Sequence, residues 1–369
     1  MLVMTPLEAE IRTRIAADGP MKVAAYMELC TTDTRHGYYT TRDPFGARGD
    51  FVTAPEISQM FGELIGLWAL SVWQIMGERP ALHLFELGPG RGTLMADALR
   101  ATRIMPAFTR ALRVHLIEAS PVLREIQQKT LSGFDVPIAW EGSEFDPPSE
   151  RSIIIANEFF DALPVNQAVK VEGGWRERMV TQDGDRLVFT MGSETMWRVD
   201  EALPPGLRGA PLGSVFEWRS DTVIRRVARH AARWGAALII DYGHVETGIG
   251  DTLQAMSRHR FADPLDRPGE IDLTAHVDFQ VLRERAAIEG VRVQGPVSQG
   301  NFLRRLGIVE RADRLKASAT ARQAAAIDAA LARLTGDGPT GMGEMFKVMA
   351  MSHPRLPVLP GFEDVQAAG

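Results

Sequence analysis

Apolar residues recur four apart at Leu7, Ile11 and Ile15, and the run ends at Asp18-Gly19-Pro20. That spacing lines one face of a helix, and the Gly-Pro pair stops it. A second stretch, from about Glu56 to Met76, is rich in Leu, Ile and Trp and reads as another helix. Between them, His36-Gly-Tyr-Tyr39 through Asp50 is punctuated by Gly, Asp and Pro and reads as loop. Residues 1–80 are therefore expected to form a helical cap. From Leu82 the pattern changes to short apolar runs separated by helical patterns: Leu82 to Leu87, Leu112 to Ile117, Ser152 to Ala156 and Ala236 to Ile240. Such alternation implies parallel strands joined by crossover helices. Before the last run, Val223, Val227, Ala231 and Trp234 face away from Arg225, Arg226, Arg229 and Arg233, which reads as an amphipathic helix with a solvated basic face.

Two stretches interrupt the rhythm. The first, Leu163 to about Glu217, holds alternating runs (Ala168-Val-Lys-Val171, Arg186-Leu-Val-Phe189) between Gly/Asp turns, and predicts an inserted antiparallel β lobe over 163–216. The second, Gly243 to about Ala275, is rich in Asp, Gly, Pro and Arg and is expected to cover a site as an extended loop. A helical pattern over Val277 to Gly290, a strand over Val291 to Val297, further helices and a last apolar strand over Met345 to Met351 follow. The expectation is an α/β fold with a Rossmann-like seven-stranded sheet and a late antiparallel strand. Its core would take residues 81–162 and 217–353, leaving 354–369, with Pro354, Pro357 and Pro360, as an extended appendage.

At 369 residues the chain can bury a large core. Its net charge of -6 weighs against a nucleic-acid partner, which would call for a basic face to collect phosphates. Cys30 is the only cysteine, so neither an internal disulfide nor a cysteine-rich metal site can form. His36, His83, His115 and His276 lack metal-ligand spacing, and no metal is expected. No apolar run approaches the roughly 20 residues of a membrane span, and the opening residues lack a signal-peptide pattern. Glu8 and Glu10 also weigh against a transit peptide, so a cytoplasmic location is expected. The sequence does not indicate an oligomeric state.

The chemistry concentrates in Glu86-Leu-Gly88-Pro-Gly90-Arg-Gly92, between the run Leu82 to Phe85 and the helical Thr93 to Arg100. Glycines let the backbone turn sharply and a ligand approach closely, and the helix N-terminus offers N–H groups to an anion. A dinucleotide fingerprint asks for G-x-G-x-x-G, whereas these glycines fall at alternate positions, and Glu86-x-Gly-x-Gly-x-Gly resembles the first motif of the Rossmann-like methyltransferases, which implies S-adenosylmethionine. Glu118, ending the second run, is placed to accept hydrogen bonds from ribose hydroxyls. Asn157-Glu158-Phe-Phe-Asp161 and Asp241-Tyr-Gly-His244 end the next two parallel runs, where open α/β sheets bind ligands. Glu158, Asp161 and Asp241 are therefore candidate catalytic residues, able to pair with a guanidinium or take up its proton. Glu86, Gly88, Gly90, Gly92, Glu118 and Asn157 are the candidate cofactor residues.

Five motifs resemble the MidA family: Asp50-Phe-Val-Thr-Ala-Pro-Glu-Ile-Ser58, Glu86 to Leu94, Asn157-Glu-Phe-Phe-Asp-Ala-Leu-Pro-Val165, Asp241 to His244, and Asp272-Leu-Thr-Ala-His-Val-Asp-Phe279. The resemblance implies a Rossmann-like methyltransferase that uses S-adenosylmethionine on a protein substrate. It further implies symmetric dimethylation of an arginine, in the mitochondrial member on the quinone-site subunit of respiratory complex I. Three other readings stand beside it. A nicotinamide oxidoreductase is disfavoured by the glycine spacing. An amino-methylating nucleic-acid enzyme would carry Pro-Pro where Phe159-Phe160 stands. An assembly chaperone that holds the cofactor without turnover is compatible with the same residues.

Overall fold

The computed structural model describes residues 4–43, 53–142, 145, 151–196, 199–257, 260–338 and 340–363. Along the chain come α1 (Pro6–Asp18), β1 (Met21–Lys22), α2 (Val23–Thr32), α3 (Tyr38–Thr41), α4 (Ala54–Ile57) and α5 (Gln59–Ile75). Next are β2 (Leu82–Leu87), α6 (Thr93–Thr102), α7 (Pro106–Ala111), β3 (Leu112–Ile117), α8 (Pro121–Leu131), β4 (Ile138–Glu141) and β5 (Ser152–Asn157). The first insertion contributes β6 (Val165–Val171), β7 (Gly174–Asp183), β8 (Arg186–Thr195), α9 (Val199–Ala202) and β9 (Val215–Arg219). After α10 (Thr222–Ala232) and β10 (Ala236–His244), the second insertion forms β11 (Gln254–Ser257), β12 (Arg260–Ala262) and β13 (Asp272–Thr274). The chain finishes with β14 (Val277–Asp278), α11 (Phe279–Ala287), β15 (Arg292–Ser298), α12 (Gln299–Arg305), α13 (Ile308–Lys316), α14 (Ala321–Thr335) and β16 (Phe346–Ser352).

The main sheet runs β15-β16-β10-β5-β2-β3-β4, with β14 added in parallel beside the end of β10. The strands from β10 through β4 are parallel, and β16 is antiparallel to both its neighbours, as the sequence pattern predicts. The central strands are apolar throughout because both faces are covered: Ile153, Ile154 and Ile155 are each at most 1% exposed. On one face lie α5, α6 and the C-terminal helices, and on the other α10 and α11. The parallel order directs the C-terminal ends of β2, β3, β5 and β10 to one rim.

The first insertion is an antiparallel sheet, β1-β7-β6-β9 with β8 on the far edge of β7. The second, expected as an extended loop, instead forms the small sheet β12-β11-β13. Its Leu253, Ala255, Ile271 and Leu273 share a core with α1, α2 and lobe residues Val165, Val180 and Leu187. Ladder bonds and that core order a stretch whose Gly and Pro content alone indicates loop. The helices before residue 80 accordingly divide: α1 and α2 join the two insertions, whereas α5 buries Phe61, Trp68 and Trp73 against the main sheet. Helix α2, which the opening pattern does not reveal, buries Val23, Tyr26, Met27 and Cys30.

The tail is irregular but not an appendage. Leu356, Leu359 and Phe362 are buried, and the Phe362 ring lies 5.4 Å from that of Phe302. The Leu359 N–H donates to Gln294 Oε1 at 2.7 Å, and the Trp68 indole donates to the Pro360 carbonyl at 3.1 Å. Apolar side chains at 356, 359 and 362, between the prolines, explain the docking; residues 364–369 lie outside the described residues. Phe362→Ala should lower the unfolding free energy by about 3–5 kcal/mol, the range for a fully buried Phe. Urea denaturation would detect it; a loss within ~1 kcal/mol would contradict this packing.

Candidate active site

Strand β2 delivers Leu87 into the glycine loop, and Gly88, Gly90 and Gly92 take φ of +64°, +54° and +79°, a region in which a side chain is strained. A Cβ at Gly88 would also lie 2.9 Å from the Phe159 ring, so the loop and the segment after β5 are in contact. Gly92 is the N-cap of α6. A small cavity of about 40 Å³ brings together Glu86, Gly88, Gly90, Asn157 and Glu158, with Thr53, Glu56 and Thr93 at its edge.

Glu86 is 3% exposed, and its Oε2 has no hydrogen-bond partner; nor has Asn157 Oδ1. Burial alone raises the Glu86 pKa to about 8. Two unmatched buried acceptors beside a glycine loop call for a donor, preferably cationic. The α-ammonium of S-adenosylmethionine meets that requirement, and the open glycine positions admit its backbone-hugging approach. The residues therefore fit the cofactor.

Glu118 lies outside this cavity but is tied to it. It is 8% exposed and accepts from the Ser120 N–H at 2.7 Å and from Gln127 Nε2 at 3.1 Å. Burial raises its pKa, and these donors oppose the rise. Gln127 also donates to the Gly90 carbonyl at 2.7 Å, while Trp140 Nε1 donates to its Oε1 at 3.0 Å. Because Trp140 fixes which end of the amide is oxygen, Gln127 links Glu118 to the loop in one orientation. No sequence pattern marks Gln127; it sits mid-helix on α8 and is identified only by the fold.

The acids after β5 and in β10 come together with distinct surroundings. Glu158 has φ +50° and accepts from the Ala54 N–H at 3.0 Å and Asn157 Nδ2 at 3.3 Å. Burial raises its pKa to about 7, with Asp161 adding to the rise and Ala54 opposing it. Asp161 is 6% exposed; burial raises its pKa to about 6 against the Arg219 guanidinium and the Tyr242 hydroxyl. Asp241 is fully buried, and one oxygen accepts from the N–H groups of Phe159, Phe160 and Asp161 at 3.2, 2.9 and 3.2 Å. Its other oxygen accepts from the Tyr242 N–H at 3.0 Å. Asp241 thus holds the segment from which Glu158 and Asp161 project, rather than facing an acceptor as the strand-end position had implied.

Several contributors were not singled out from the sequence. Thr53 and Ala54 reach the site from the motif Asp50 to Ser58, of which 50–52 lie outside the described residues. Arg219, from the lobe strand β9, donates to the carbonyls of Leu163, Ala275 and His276 at 3.1, 2.7 and 2.7 Å. Tyr39 of α3 is hydrogen-bonded to Asp272 and feels the Asp161 charge, which brings the motif beginning at Asp272 to the same rim.

Residues 64–297 match a family model described as "Putative S-adenosyl-L-methionine-dependent methyltransferase". The chain is 38% identical over 331 residues to a Danio rerio protein named protein arginine methyltransferase NDUFAF7, mitochondrial, covering 82% of this chain and 76% of that one. The Homo sapiens protein of the same name is 38% identical, covering 83% and 74%, and the Drosophila melanogaster homologue is 36% identical, covering 94% and 84%. A solved Burkholderia thailandensis structure bound to S-adenosyl-homocysteine matches with a TM-score of 0.87 and 29% identity, over 100% of this chain and 99% of that one. These findings bear out the MidA resemblance, the fold class and the cofactor. The mitochondrial names are at odds with a cytoplasmic location. Among the described residues, no helix is long and apolar enough to cross a membrane.

Gly90→Val should abolish cofactor binding in calorimetry, because a β-branched residue is strained at φ +54° and its side chain enters the loop; normal binding would refute the loop assignment. Cofactor affinity should also rise with pH. The Glu86 carboxyl, with its pKa at about 8, is protonated at lower pH, and its ionised form prefers the cofactor's ammonium. Affinity should therefore increase by up to about tenfold per pH unit below pH ~8 and then level off. A wild-type profile as flat as that of Glu86→Gln would rule this out.

Proposed function

The chain belongs to the S-adenosyl-L-methionine-dependent methyltransferase family of these relatives, and from that premise we propose that it methylates an arginine of a protein substrate. The observation that carries the reading is Glu158: a half-buried residue whose carboxyl pKa is raised by desolvation to about 7, lining the glycine-loop cavity, with the buried Asp161 three residues on. The bound cofactor supplies an electrophilic sulfonium methyl. The chain then has to bind the acceptor nitrogen in line, exclude water and remove a proton.

Glu158 pairs with the guanidinium, whose planar fork suits a carboxylate, and would take its proton as the methyl leaves sulfur for nitrogen, the S–CH3 bond breaking and the sulfur departing as a neutral thioether. Asp161 supplies the second negative charge, and Asp241 keeps both in place through backbone N–H groups. Glu86, Gly88, Gly90, Gly92, Glu118 and Asn157 hold the cofactor in this assignment. As the MidA resemblance implies, the acceptor is an arginine of the quinone-site subunit of complex I, and the product is symmetrically dimethylated. The relatives' mitochondrial names, rather than charge or hydropathy, guide the compartment. The inserted lobe over 163–216 takes the substrate side.

Incubation of a cell lysate with the protein and methyl-labelled cofactor, followed by mass spectrometry, should place the label on a protein arginine. Label on lysine, nucleic acid or small molecules alone would overturn the proposal, as would none at all. Glu158→Gln should lower turnover on the labelled protein by about 10²–10⁴-fold, the usual scale for a general base, with cofactor affinity kept. Unchanged turnover would remove Glu158 from that role.

A further inference from the structure

The most spacious cavity described is not at the glycine loop. It measures about 1200 Å³ and lies between the inserted lobe and helix α11, with Asp221, the N-cap of α10, at its side. The lobe contributes Met179, Met196, Phe216 and Trp218, and the core side contributes Asp221, Val281 and Glu284. A second cavity of about 250 Å³ shares Trp218, Arg219 and Val281 with the first and extends to Phe160. Phe160 is adjacent to Phe159, whose ring stands against Gly88. The two cavities adjoin along Trp218, Arg219 and Val281 and form a trough whose narrow part reaches Phe160, beside the segment that carries Glu158 and Asp161.

The trough has an apolar floor and an acidic rim. Glu177, Glu194, Asp221 and Glu284 line its wide part, and Glu217 and Glu246 its narrow part. Against them stand two guanidiniums, of Arg219 and Arg285. Arg219 donates to the carbonyls of Leu163, Ala275 and His276, and its charge acts first on Glu217, so it offsets acid in the narrow part rather than at Glu194 and Glu284. Glu177 is paired with Lys22 at 3.2 Å, but Glu194 and Glu284 are exposed. The volume exceeds the usual range for a small-ligand pocket, roughly 300–1,000 Å³, and Met and Trp side chains suit an adaptable peptide contact.

We infer that this trough docks a cationic, partly apolar segment of the protein substrate and leads it to the loop bearing Glu158. The inference rests on the reading of the chain as a protein methyltransferase and names the surface that recognises the acceptor. Charge complementarity selects the occupant: carboxylates on the rim attract Arg and Lys and repel nucleic acid, an anionic membrane or a second copy of this net-acidic chain.

The test uses the full chain and a short fluorescein-labelled peptide of Arg, Lys and Leu, with a Glu/Leu peptide as control, followed by fluorescence anisotropy. The basic peptide should bind and the acidic one should not, and added salt should weaken binding. Glu194→Lys combined with Glu284→Lys should weaken peptide binding about tenfold or more and leave calorimetric affinity for S-adenosyl-homocysteine unchanged. Equal peptide binding by this double variant would overturn the inference. Where the double variant fails to fold, a benzophenone photo-crosslinker replacing Met196 serves instead: labelling of the basic peptide supports the inference, and no labelling overturns it. A dimer in light scattering that Glu284→Lys dissociates, with no peptide binding, would assign the trough to a second copy and overturn it too. Peptide binding requires no methyl transfer, so the trough and the arginine assignment can fail separately.

Discussion

A single carboxylate oxygen of Asp241 accepting three consecutive backbone N–H groups, from Phe159, Phe160 and Asp161, is the contact on which the rim of the sheet depends. It joins the ends of β5 and β10, the two strands that carry the acids of the site. Four backbone donors on one side chain compensate for placing a carboxyl where nothing is exposed, and they replace water with fixed dipoles. Burial, and then the neighbouring Asp161 and Glu158, push the Asp241 pKa upward, while the N–H groups of Asp161 and Tyr242 oppose that rise. The backbone after β5 is thereby held in a path that a free loop would not keep, including the positive φ of Glu158.

That path sets the electrostatics. Glu86, Glu158 and Asp161 all have raised pKa values, and in each the largest cause is burial. A cavity edged by partly desolvated carboxyls is poor at holding anions and good at receiving cations, whose charge restores the ionised forms. In the proposed assignment, S-adenosylmethionine brings an ammonium and a sulfonium to this place, and a guanidinium acceptor a third positive centre. The same burial that raises the free site's pKa values strengthens each of these pairings once water is displaced.

Strand ends were legible because burial on both faces writes a continuous apolar run, as in Ser152 to Ala156, and because Gly88, Gly90 and Gly92 mark a turn that few other residues tolerate. The order of those runs was enough to place Glu86, Asn157, Glu158, Asp161 and Asp241 on one rim. What each acid does there was not legible, since an acid at a strand end reads alike whether it meets a ligand or, as Asp241 does, three backbone N–H groups. Gln127 was hidden because its partners, Gly90, Glu118 and Trp140, are distant in sequence and adjacent only in the fold. The second insertion and the tail were misjudged for one reason. Gly and Pro report local backbone freedom, whereas Leu253, Leu273, Leu359 and Phe362 are ordered by tertiary burial.

Arg219 shows how the insertions bear on the chemistry. It stands on β9, which pairs with β6 at the root of the lobe, and it donates to carbonyls of Leu163 after the acid segment and of Ala275 and His276 after the second insertion. Its charge also opposes the rise in the Asp161 pKa. One guanidinium therefore fixes both insertions to the segment that bears Glu158 and Asp161. The lobe strands β7 and β8 are tied elsewhere, through Val180 and Leu187 in the core shared with α1, α2 and the second insertion, while β6 and β9 carry the attachment at the root. In the proposed reading, recognition on the lobe and chemistry on the rim are separable in sequence and joined in geometry, a division common where a rigid scaffold positions a variable surface.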